Sequence, residues 1–113
     1  MSSELIASIE RNIKEKKNFV DMSNALQRLK SNKDFKSLIL DGYFEKEAVR
    51  LVHLKAAPDF QTPEKQKAVL DQIDAIGSLS GYFATITFNA NQAGKAIEAD
   101  EETLLELRNE GNE

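Results

Sequence analysis

Counting in sevens from Val69 gives Val69, Ile76, Phe83, Ala90, Ile97 and Leu104, an apolar residue at every step. Three positions further along each heptad stand Gln72, Leu79, Ile86, Ala93, Asp100 and Leu107, of which four are apolar. A repeat of 3.5 residues sustained over this distance is the pattern of one helix with a continuous seam. It runs through "AIGSLSGYFATITFNANQAGKAI", residues 75–97, where three glycines and a Tyr-Phe-Ala-Thr-Ile-Thr-Phe core would also suit a β-strand between loops. A strand over 82–88 breaks the heptad register and a helix keeps it, so a single helix over 63–109 is expected. Gly77, Gly81 and Gly94 each disfavour it by about 1 kcal/mol relative to alanine, and the β-branched Thr85, Ile86 and Thr87 add to the cost. Packing has to compensate. Gly77 and Gly81 are one turn apart and, with Ser78 and Ser80, are expected to form a smooth strip for close helix packing.

The rest of the chain is also helical in pattern. Leu5, Ile6, Ile9, Ile13, Val20, Met22, Leu26 and Leu29 recur mostly every three or four residues with no Gly or Pro among them, predicting a helix over 3–31 with these residues on one side. Asn32 or Asp34 can cap the next helix. "FKSLIL" predicts a short helix over 35–40, Asp41-Gly42 a turn, and "YFEKEAVRLVHLKAA" a helix over 43–57 with Phe44, Ala48, Leu51, Val52 and Lys55 on one face. Thr62 is a capping residue, and Pro63 suits a first helical position. The expected architecture is all-α, one domain over 1–113, a helical hairpin or three-to-four-helix bundle with one long C-terminal helix. At 1.5 Å per residue that helix would be about 70 Å long. The shorter helices would cover only part of it, so a stripe of Val69, Ile76, Leu79, Phe83, Ile86, Ile97, Leu104 and Leu107 is expected to bind a partner, a second copy of the chain being the simplest.

Composition limits the chemistry. A 113-residue chain with 41% apolar and 30% charged residues has the make-up of a folded domain. Cysteine is absent, which removes disulfides and thiolate metal sites. The start "MSSELIASIERN" lacks a basic leader followed by an apolar stretch, and no apolar run approaches the ~20 residues that span a bilayer. No signal-peptide secretion and no membrane partner are expected.

The net charge of −4 is uneven: residues 11–36 hold eight basic and three acidic residues, and residues 98–113 hold seven acidic residues and Arg108. Arg11, Lys14, Lys16 and Lys17 are candidates for contact with phosphate or with an acidic partner. Neither a recognition helix after a tight turn nor aromatics interleaved with the cations accompanies them, so nucleic acid ranks below protein as a partner. Pairing with the acidic terminus of another subunit suits them at least as well.

His53 is the only histidine. With no second histidine or cysteine as co-ligand, it is read as a partly buried packing residue. The run "EADEETLLELRNEGNE" lacks the alternating oxygens and turn glycine of a calcium loop. No phosphate-cradling glycine loop and no convergent acid, base or nucleophile set is present. Neither an enzyme nor a cofactor is expected.

"LQRLKSNKDFKSLILDGYFEKEAVRLVHL", "KQKAVLDQIDAIGSLSGYF" and "DEETLLELRNEG", together spanning residues 26–111, resemble small all-helical proteins of tailed bacteriophages encoded among head and tail assembly genes. The resemblance lies in apolar order and segment length and carries over no functional residue. It implies a virion component or assembly factor, found in the particle or the host cytoplasm and acting through protein contacts with itself or a larger head or tail protein. Two alternatives stand beside it: a small phage inhibitor that binds a host protein or signalling nucleotide, and a nucleic-acid-binding packaging factor.

Overall fold

The computed structural model describes residues 2–111, and among these every regular element is helical. Helix α1 is Ser2–Lys30, α2 is the single turn Lys33–Phe35, a π-helical segment is Lys36–Glu47, α3 is Ala48–Ala56, a 3₁₀ turn is Pro58–Phe60, and α4 is Pro63–Gly111. The chain divides into two compact units, Met1–Leu26 with Thr85–Glu113, and Gln27–Ala84.

Helix α4 passes unbroken through Tyr82–Phe88, as the heptad register requires, and there is no positive φ at any described residue. Its start follows the expected chemistry. The Lys65 amide donates to Thr62 Oγ1 (3.3 Å), the Gln66 amide donates to the Thr62 carbonyl (2.9 Å), and Pro63 takes the first position, where its missing N–H is no loss. The connector ahead of it is held by amide side chains. Gln61 Nε2 donates to the carbonyls of Lys55 (3.0 Å) and Ala57 (2.8 Å), and Gln66 Nε2 to those of Lys55 (2.9 Å) and Phe60 (2.6 Å), which gives partners to one carbonyl of the last turn of α3 and to two of the connector.

The unit Gln27–Ala84 has its core at Leu51, Val69 and Ile76, with Tyr43, Phe44, Ala48, Leu54, Phe60 and Ile73 packed around them. Leu51 and Val69 are each 1% exposed. Val52 and His53, next to Leu51, are turned to solvent, which corrects the expectations that Val52 shares the inner face and that His53 packs partly buried. Ile73, rather than Gln72, supplies the second seam position at this level.

The turn expected at Asp41-Gly42 is absent. Asn32 caps the new helix by accepting from the Phe35 amide (2.9 Å), and the chain then winds as a π-helix straight through both residues into α3. The aromatic packing explains the winding. Phe35 and Phe44 both meet Phe83, with ring centroids 6.0 and 5.7 Å apart. Nine residues of α-helix would set two side chains on the order of 180° apart. The wider π turn, closed by bonds from residue i+5 to residue i, reduces that offset and brings both rings to one side.

Gly42 permits the π winding, because a Cβ there would stand 2.9 Å from the Ser37 carbonyl oxygen, five residues back. Gly42→Ala should therefore destabilise the protein by about 1–3 kcal/mol through backbone overpacking. Gly77→Ala should do the reverse. A Cβ at Gly77 or Gly81 meets nothing within 4 Å, so the expected close packing at these two glycines does not occur, and Gly77→Ala should stabilise by about 0.5–1 kcal/mol. Urea unfolding of the two variants tests the opposite signs.

On the surface of this unit, the Glu47 carboxyl is held below its ordinary range, chiefly by its hydrogen bond from Arg50. That contribution is present above the unfolded value and is lost as pH falls through the folded one. Both side chains are open to solvent, and the effect is correspondingly screened.

Candidate functional site

The unit formed by Met1–Leu26 and Thr85–Glu113 is an antiparallel pairing of α1 with the last part of α4. Two ion pairs mark its register: Lys16 Nζ to Asp100 Oδ2 at 3.0 Å, and Arg108 Nη2 to Glu10 Oε1 at 2.8 Å. In that register Ile13 stands opposite Leu104 and Leu26 opposite Ala90, and all four are buried with Ala93. Along α1 the covered positions Ile6, Ile9, Ile13, Lys16, Val20 and Ser23 repeat every 3.5 residues, matching the repeat of α4. Small side chains are buried on the α4 side of this pair. They are Ala90 and Ala93, which no glycine signal marks.

Leu5, Met22 and Leu29, expected on the inner side of α1, are instead exposed. A 3.5-residue seam admits only every third or fourth side chain, and these three fall beside it.

The partner-binding stripe expected on α4 is occupied by the chain itself. Val69, Ile76 and Leu104 are buried, and Leu79, Phe83, Ile86, Ile97 and Leu107 are half-buried. The short helices lie on the seam in one unit and α1 lies on it in the other, and only at Leu104 does it border an open groove. The expected basic surface is also partly used. Lys16 is spent on Asp100 of the same chain rather than on another subunit, while Arg11, Lys14 and Lys17 remain at the surface.

What this unit offers outward is an open groove of ≈ 550 Å³ along one edge of the helix pair. Its floor is Ile13 and Leu104. The α1 wall carries Glu10, Lys14 and Lys17, and the α4 wall carries Glu101, Leu105 and Arg108. Leu105 is 62% exposed at the rim. Among the described residues Lys14, Lys17 and Glu101 belong to no ion pair. A smaller groove of ≈ 400 Å³ on the pair has Ala93 and Ala96 as its floor and Lys16, Phe19, Asn89 and Gln92 around it. The larger groove thus brings together Lys14 and Lys17 from the expected basic set and Leu104 from the expected stripe.

Leu105 is a functional candidate that the heptad pattern passes over, although a signal for it exists. In "TLLEL" the seam needs only Leu104 and Leu107, which leaves Leu105 as a surplus apolar residue.

The charged groups of the larger groove are fixed on two helices around an apolar floor. Among the described residues no three His, Asp or Glu side chains are placed to hold a metal ion, and no helix is long and apolar enough to cross a membrane. No protein-family model, no curated protein and no solved structure matches this chain.

Proposed function

We propose that this chain is a non-enzymatic helical assembly protein that acts through protein–protein contacts and does so as an oligomer, in the setting of a phage particle or its assembly. The observation that carries the proposal is the set of large apolar side chains left outside both units. Leu105 and Phe88 (61% exposed) lie on one unit, and Leu38 (70%) and Val52 (60%) on the other. Exposed apolar side chains that adjoin other apolar surface mark protein interfaces, and Leu105 adjoins the groove floor of Ile13 and Leu104. Of the α4 seam, Leu104 reaches this surface as part of the groove floor. The phage setting rests on the resemblance of residues 26–111 in segment length and apolar order.

Light scattering across the micromolar range, with mass spectrometry of purified particles, tests the proposal. The expected result is a mass above the 12.7 kDa of one chain, or recovery of the chain in the particle. A strict monomer that is also absent from particles contradicts it. Salt-sensitive binding to a single host protein would favour the inhibitor alternative instead.

A further inference from the structure

We infer that the groove between Lys14–Lys17 and Glu101–Leu105 is the surface on which two copies of this chain join, as a four-helix assembly of two helix pairs. This rests on the assembly reading above and names its interface. The first ground is charge. On the α1 edge of the groove Lys14 and Lys17 are cationic; on the α4 edge Glu101 is anionic, and Glu98, one turn before it, is exposed on the same side. Glu10 on the α1 edge and Arg108 on the α4 edge are paired with each other at 2.8 Å, so the unpaired charges of the lining are Lys14 and Lys17 on one edge and Glu101 on the other, and such a surface is complementary to itself.

Two twofold arrangements put this face against its copy. An axis across the helices lays α1 on α1 with height reversed, which sets Lys14 against its own copy and offers Lys17 and Glu101 only Glu10 and Arg108, groups already paired with each other, so this arrangement is the poorer in charge. An axis along the helices lays α1 of one copy on α4 of the other at unchanged height. Lys14 and Lys17 then face Glu101 and Glu98 of the second copy, Glu10 faces Arg108, and every contact occurs twice. Leu105 of each copy comes to the level of Ile13 of the other, where the apolar floor of the groove can cover it.

The second ground is size. About 25 residues of paired helix make a face roughly 37 Å long and about 20 Å wide. That is close to the ~800 Å² per partner of a stable interface.

Two charge-reversed variants test the inference by analytical ultracentrifugation at low salt, with circular dichroism to confirm that each is folded. In the Lys14→Glu/Lys17→Glu variant both edges are acidic, and in Glu98→Lys/Glu101→Lys both are basic. Each is expected to sediment as a monomer alone, and their equimolar mixture as a dimer, because both mismatches are repaired together. Leu105→Glu should weaken wild-type dimerisation at least about tenfold. A monomeric wild type, a dimer that persists in both variants alone, or a mixture that stays monomeric overturns the interface. The broader assembly reading survives any of these if the chain is found in particles, so the two failures are distinguishable.

Discussion

Leu51→Ala is expected to lower the unfolding free energy by about 2–5 kcal/mol, the range for emptying a buried leucine site. The upper half of that range applies here because Leu51 is 1% exposed and its neighbours Val69 and Ile76 belong to α4, whose backbone cannot collapse into the gap without bending a 49-residue helix. Small domains are stable by only about 5–15 kcal/mol, so a loss of this size removes much of the reserve. Equilibrium urea unfolding followed by circular dichroism measures it, and amide exchange should report the loss at residues 43–76. Val52→Ala is the control. The Val52 side chain faces solvent, and a change within about 0.5 kcal/mol is expected there.

Ala84→Pro is expected to cost about 3 kcal/mol or more. Ala84 is exposed, so the substitution leaves the packing alone and acts on the backbone. Within α4 the proline would remove the amide that closes the turn to the Ser80 carbonyl, and its ring would press on that carbonyl. Ala84→Ser, which keeps the amide, should cost only the small difference in helix propensity, about 0.5 kcal/mol. The pair isolates the helix itself. In a loop, proline at this position would have no helical bond to break.

Helix α4 is legible in the sequence because its 3.5-residue repeat outlasts the local preferences that oppose it. Thr85, Ile86 and Thr87 favour a strand and the glycines a loop, yet Phe83, Ile86, Ala90 and Ala93 keep the register, and tertiary contact decides. The same repeat cannot say what covers it. Val69 and Ile76 meet Leu51 of their own chain, and Leu104 lies opposite Ile13, so a seam that reads as available to a partner is an internal one.

Asp41-Gly42 misleads for a related reason. An Asp-Gly pair signals a turn in isolation, whereas here the glycine admits a carbonyl at 2.9 Å and lets the π-helix continue. Nothing local in "SLILDGYF" announces that Phe35 and Phe44 must both reach Phe83, far along the chain. Gly77 and Gly81 show the converse error, since a glycine offers room for close approach without supplying the neighbour. Of the groove, the cations are visible as a charged run and Leu105 as a surplus leucine. Their meeting is not, because it depends on the antiparallel register marked by Lys16 with Asp100 and Glu10 with Arg108.

Pro63–Gly111 is one helix, including the stretch that could pass for a strand. Backbone Cα chemical shifts of the labelled protein in solution measure this residue by residue. Unbroken downfield, helical shifts from residue 75 to residue 97, with contacts between each Hα and the amide three residues on, are the predicted result. A run of upfield, extended shifts over Tyr82–Phe88, with the helix ending near Gly81, would contradict it.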